Sequence, residues 1–179
     1  MNCARENPKP AKNVSASPNI YERPIMAMQN LELSRDLREL LKCFLSHDVR
    51  FLIIGGHAVS YHGYSRFTKD LDIWIQKSDS NALKIVEALK EFGFDFEGLS
   101  PEMFTDESRM TQMGREPNRV DILHTIKGVE FSDCYLRSLR ANIDGTPIPI
   151  ISKADLLLNK IATARPQDLA DADQLQKLD

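Results

Sequence analysis

The sequence predicts an α/β or α+β layer fold, and three observations carry that prediction. Helical and strand-like apolar periods are interleaved along the chain, not gathered into separate blocks. A composition of 42% hydrophobic and 27% charged residues, with glycine plus proline at 17 of 179, is globular. A length of 179 residues fits one domain that buries a core without staples. No apolar run approaches the roughly 18 residues of a membrane span, and the N-terminus lacks a signal-type apolar segment. Cys3, Cys43 and Cys134 form no short-spaced set. That usage fits a reducing cytoplasm, with Cys43 and Cys134 as small buried hydrophobes.

The elements follow in order. Residues 1–30 hold Pro8, Pro10, Pro18 and Pro24 among polar residues with no apolar period, which reads as a disordered tail. Residues 31–179 then form the single domain, and Met26 or Met28 is the expected native start. The tail carries four basic residues against two acidic ones, so a total charge of −3 leaves −5 on the rest. That acidic balance counts against a non-specific nucleic-acid binder. Leu37, Leu40, Leu41, Phe44 and Leu45 mark an amphipathic helix from Ser34. The run Phe51–Ile54, closed by Gly55-Gly56, reads as a buried strand ending in a tight turn, and His57–His62 as a short helix. Leu71, Ile73 and Ile75 alternate with Asp70, Asp72 and Trp74, a period-two strand.

A helix over Ser80–Phe92 turns Ala82, Leu83, Val86 and Leu89 inward and ends at Gly93. Phe94–Glu107 has no clear period. Arg109–Met113 and Arg119–Ile126 read as strands joined by residues 114–118, followed by a helix near Phe131–Leu139. Asp144-Gly145 is a hairpin turn leading into Pro147–Ile151. Two helices finish the chain, Lys153–Ala164 capped by Ser152 and Pro166–Leu178 opened by its proline.

The chemistry concentrates between Phe51 and Ile75. Residues i and i+2 of a strand share a side, so Asp70 and Asp72 face one place while Leu71 and Ile73 face a core. Two close carboxylates repel unless a cation joins them, and hard oxygen donors suit Mg²⁺ above all. Asp121 is a lone acid in the apolar strand Val120–Leu123. If that strand adjoins the first, three carboxylates meet, a ligand set for two-metal phosphoryl transfer. Gly55 and Gly56 let backbone amides approach a phosphate, and Arg66, Thr68 and Lys69 are suitable polyphosphate donors. No Gly-Lys-Ser/Thr follows, so this is not a Walker A loop.

The order Gly-Gly, thirteen residues, Asp-Leu-Asp and a later strand Asp resembles the nucleotidyltransferase superfamily typified by polymerase beta. More narrowly, GGHAVSYHGYSRFTKDLDIWI is similar to small bacterial nucleotidyltransferases related to AbiEii toxins. The segment from Lys153 through Lys160 to Arg165, Asp168 and Asp171 resembles their closing region, so the likeness spans about Leu33–Leu178. It implies a nucleotidyltransferase fold, a small mixed twisted sheet flanked by helices. It implies that Asp70 and Asp72 bind two Mg²⁺ ions (Mn²⁺ as a substitute), with Asp121 on the ion nearer the acceptor and helping to deprotonate the attacking hydroxyl. Gly55, Gly56 and Ser60 then hold the β- and γ-phosphates, and Arg66 and Lys160 neutralise phosphate charge. The implied reaction is transfer of NMP from an NTP with release of pyrophosphate. A tRNA or other RNA end, a protein side chain and a small aminoglycoside-like molecule all stand as acceptors, and the toxin likeness adds a cognate antitoxin as partner.

Blander readings stand beside these. Asp70 and Asp72 as solvated strand acids, Lys160 as a snorkelling lysine, and Arg165, Asp168 and Asp171 as an ion-pair network joining the last helices are the main ones. His57 and His62 read as packing or helix-surface residues, and Trp74 as core. Two rival functions are a catalytically silent nucleotide- or partner-binding module of the same fold, and a glycosyltransferase using Asp-x-Asp.

Overall fold

Serine caps and apolar stripes set the helices. In the computed structural model, which describes residues 30–106 and 110–178, α1 spans Arg35–Ser46 and α3 spans Asp79–Phe92. Helix α5 spans Lys153–Thr163. Ser34, Ser78 and Ser152 cap the three, each hydroxyl accepting a first-turn amide, worth about 1 kcal/mol apiece. The remaining helices are α2 (Gly55–Tyr61), α4 (Phe131–Arg137) and α6 (Pro166–Gln176). Residues 1–29 of the expected tail lie outside the described residues. Asn30 does not: its backbone bridges to Asn142, and Leu31 N–H donates to the Asn142 carbonyl.

Among the described residues six strands form one mixed sheet: β1 (Phe51–Ile53), β2 (Asp70–Ile75), β3 (Thr111–Met113), β4 (Arg119–Leu123), β5 (Leu139–Ile143) and β6 (Thr146–Ile150). Their order across the sheet is β3-β4-β2-β1-β6-β5. Strand β2 lies antiparallel to β1 and parallel to β4, and β1 lies parallel to β6. Leu71, Ile73, Ile75, Val120 and Ile122 are buried in a single hydrophobic cluster with the apolar faces of α1 and α3.

Several local expectations need correction. Gly55 and Gly56 are not a turn before a helix; they are its first two residues. Leu83 is exposed, and Ile85 takes its inward place, because Ala82, Ile85, Val86 and Leu89 are the residues spaced to share one stripe. The helix placed at Phe131–Leu139 stops at Arg137, and Leu139 opens β5, the unforeseen first arm of the hairpin. Asp144 and Gly145 both take positive φ, 51° and 81°, as a primed hairpin turn requires. The unpatterned stretch after α3 holds a 3₁₀ turn at Pro101–Phe104 that buries Phe104.

Candidate active site

Strand direction delivers the glycines to the acids. Because β1 runs antiparallel to β2, the chain leaving Ile53 arrives beside Ile73 and Asp72. Ile54 N–H donates to the Asp72 carbonyl at 3.1 Å, and α2 begins at once. Gly55 takes a φ of +62°, and a Cβ there would lie 1.9 Å from Asp72 Oδ2. Glycine alone satisfies both constraints. A Cβ on Gly56 would lie 2.5 Å from Thr68 Oγ1, so the second glycine is also demanded by close approach. The Gly56 amide donates to the Asp72 carboxylate. Burial, then the neighbouring Asp121, pushes Asp72 up to about 6 against the pull of that amide and of Lys160.

Strand β4 supplies the third acid. Its parallel register sets Asp121 opposite Asp72 and Arg119 opposite Asp70, so all four side chains share one sheet face. Arg119 Nη2 donates to Asp70 Oδ2, and Arg119 Nε lies 3.4 Å from Asp121 Oδ1. Burial raises Asp121, while Arg119 draws it down. Asp70 Oδ1 and Asp121 Oδ1 are both buried with no hydrogen-bond partner. Hard, buried, unpartnered oxygens of this kind suit a divalent cation such as Mg²⁺. Among the described residues no three acidic, histidine or cysteine groups form a closed metal cage; Arg119 touches both outer acids instead. In the sequence Arg119 stands out only as the start of a strand, although its place two residues before Asp121 puts it on the acidic side.

Opposite the acids lies a buried ion-pair network. Lys160 does not snorkel: it is 4% exposed, and its Nζ donates to Asp168 Oδ1 at 2.7 Å and Asp171 Oδ2 at 2.8 Å. Arg165 Nε donates to Asp168 Oδ2 at 2.5 Å, so the network joining the last two helices is present. It extends to Arg66, whose guanidinium grips both oxygens of Asp171 at 2.8 and 3.0 Å. Burial would raise Asp168, yet hydrogen bonds from Arg165 and Lys160 outweigh it and hold the carboxyl below its ordinary value.

Every expected site residue except Ser60 lines one cleft of about 730 Å³, joined by Arg119, Arg165 and the exposed Phe67. Ser60 sits a full turn beyond Gly56, its hydroxyl donating to the Arg66 carbonyl, and lines a neighbouring hollow. Lys69 stands at the lip, its Nζ 2.9 Å from Glu116 Oε2. A smaller hollow of about 230 Å³ shares Gly55, Asp72 and Lys160 with the cleft and continues to Leu123, Ile126 and Thr163. His57 is lowered to about 4 by burial and Arg66, and His62 Nε2 donates to the Ile151 carbonyl, both packing arrangements. Trp74 is core, its Nε1 donating to the His124 carbonyl and its ring meeting Phe131 edge-on. Cys134 is buried and Cys43 half-buried.

A family model described as "uncharacterised nucleotidyltransferase" matches residues 21–170. No curated protein matches the chain. Among solved structures, a lincosamide antibiotic adenylyltransferase in its lincomycin-bound form is 20% identical over 84% of this chain and all of its own, with a TM-score of 0.55. A putative nucleotidyltransferase from Thermotoga maritima is 15% identical over 80% of this chain and 89% of its own, with a TM-score of 0.48. An antigenic nucleotidyltransferase-like protein from Paracoccidioides brasiliensis is 20% identical over 82% of this chain and 78% of its own, also at 0.48. The first of these likenesses shows a shared fold.

Proposed function

The chain belongs to the uncharacterised nucleotidyltransferase family, and from that premise we propose that it transfers NMP from an NTP through Asp70, Asp72 and Asp121 to a hydroxyl-bearing acceptor. The observation that carries this reading is the register of β2 and β4, which stacks Asp72 on Asp121 under the two glycines. Asp70, Asp72 and Asp121 would hold Mg²⁺, the same hard-donor set being open to Mn²⁺. Bound there, the metal supplies charge neutralisation of the triphosphate and activation of the attacking hydroxyl.

The chain's own residues do the rest. Gly55 and Gly56 keep the floor of the cleft free of side chains, so that a phosphate can reach the acids. Arg66 and Lys160, fixed by Asp171 and Asp168, present positive charge without having to be ordered when substrate binds. Thr68 and Lys69 line the entrance. As the family resemblance implies, Asp121 is the group that would take the proton of the acceptor hydroxyl. Substitution of Gly55 by alanine is expected to displace the Asp72 carboxylate. It should lower kcat about a hundredfold, near 3 kcal/mol of transition-state stabilisation, with circular dichroism unchanged.

The AbiEii-type toxin role and its antitoxin rest on the motif likeness between Leu33 and Leu178 alone. A cytoplasmic setting rests on the free, unspaced cysteines. No helix among the described residues is long and apolar enough to cross a membrane. The deciding experiment supplies each α-labelled NTP with Mg²⁺ and three acceptor classes: total tRNA, a protein lysate and a panel of small hydroxylated antibiotics. Label transfer with pyrophosphate release is the expected result. NTP binding without transfer to any class would establish a nucleotide-binding module instead.

A further inference from the structure

We propose that Arg119 is a resident counter-ion of the acidic cluster, competing with divalent metal for Asp70 and Asp121 until the phosphates of the nucleotide draw it away. This rests on the reading of Asp70, Asp72 and Asp121 as metal ligands. The register of β2 and β4 places Arg119 directly beside Asp70 and two residue pairs from Asp72 and Asp121, on the same sheet face. Its guanidinium takes Asp70 Oδ2 through Nη2 and reaches Asp121 Oδ1 through Nε at 3.4 Å. Those are oxygens of the same two carboxylates that a cation at this site must use.

The hold is incomplete. Arg119 Nε is buried without a hydrogen-bond partner, as are Asp70 Oδ1 and Asp121 Oδ1. A guanidinium held between Asp70 and Asp121 thus satisfies charge but not hydrogen bonding, and it is the cation more easily replaced. Its charge also sets the electrostatics. Three carboxylates carry −3, and with Arg119 among them the cluster carries −2, so each approaching divalent ion meets a weaker attraction. Movement of the side chain takes that charge away from the acids.

The structure offers a destination. Arg119 already lines the cleft where Arg66, Lys160 and Arg165 gather. Those three are tied to Asp168 or Asp171. Arg119 differs because its partners are the acids of the site itself, so filling the acids releases it. A planar guanidinium fork matches a phosphate as well as it matches a carboxylate. Metal and nucleotide therefore help each other to bind, and Arg119 carries the coupling.

The test is Mn²⁺ binding to the full chain, followed by the electron paramagnetic resonance of the free ion, with no nucleotide present. Arg119→Gln is expected to bind Mn²⁺ at least tenfold more tightly than the native protein, and Arg119→Lys within about threefold of native, since it keeps the charge. Arg119→Gln should also melt below the native protein in EDTA, and the gap should close when Mn²⁺ is added. A merely structural arginine would lower the melting point in both conditions and leave Mn²⁺ affinity unmoved. If native protein binds Mn²⁺ and Arg119→Gln binds it equally or more weakly, the counter-ion role is overturned and the metal reading survives. If no variant binds Mn²⁺, both fall together.

Discussion

Replacing Asp72 by asparagine is expected to abolish nucleotidyl transfer, by at least a thousandfold in kcat, while making the metal-free protein more stable at pH 7. The first effect follows from place: Asp72 lies between Asp70 and Asp121 and under Gly55 and Gly56, so no neighbour can substitute for it. The second follows from electrostatics. Burial and Asp121 push Asp72 up to about 6, from 3.8 in an unconstrained carboxyl. Between those values the folded protein keeps a proton that the unfolded chain releases. That stability is present in acid and is lost as pH rises through 6. Asparagine never ionises, so the gain over native protein, about 1–2 kcal/mol after discounting for solvent, should be full above pH 6 and close toward pH 4. His57, lowered to about 4 by burial, acts in the opposite sense, but it is common to both proteins and cancels in the difference. Melting curves in EDTA from pH 4 to 8, beside label transfer at pH 7.5, measure both effects. An asparagine variant that is inactive and also less stable at pH 7 would show that Asp72 serves the fold before the site.

Lys160→Met is expected to be the most destabilising single change in the cleft, at about 3 kcal/mol, or roughly 6–12 °C in Tm. Lys160 bridges Asp168 and Asp171, which are themselves buried, and its loss leaves two carboxylates in a low-dielectric setting with one cation fewer. Each acid keeps one arginine, which limits the damage. Arg165 provides the contrast. Its side chain is 74% exposed, so Arg165→Ala should cost under about 1 kcal/mol despite its short contact with Asp168. Urea midpoints at constant m-value separate the two. Equal losses in both variants would mean that burial of the lysine is not what matters. The network joins α5, α6 and the loop before β2, so Lys160→Met should also blur the position of Arg66 and raise KM for NTP.

Much of the fold is readable because it is local. Helix α1 is written in Leu37, Leu40, Leu41 and Phe44, all buried, and α5 in the Ser152 cap. The hairpin turn at Asp144-Gly145 is equally plain, although its first strand is not. Leu139–Ile143 carries Arg140 and Asn142 between apolar residues, and Arg140 is buried, so polarity hides the period there. Leu83 faces solvent, against its expected inward place, because hydrophobicity says that a side chain can be buried but not which side of a helix the core occupies.

The chain by itself determined that Asp70 and Asp72 share a side, that two glycines follow the first strand, and that a lone acid interrupts a later strand. Those facts follow from periods of 2 and 3.6 residues and need no partner. Only the tertiary structure decided the rest. Asp121 faces Asp72 because β4 enters beside β2 in parallel register, although some fifty residues separate them in the chain. Gly55 must be glycine because Asp72 lies under its missing Cβ. Lys160 is buried, not solvated, because α6 brings Asp168 and Asp171 to it. Arg119 enters the site because pairing sets it against Asp70. The physical reason is common to all four. Burying or pairing a charge depends on a group distant in sequence, and strand order, which no local period encodes, selects that group.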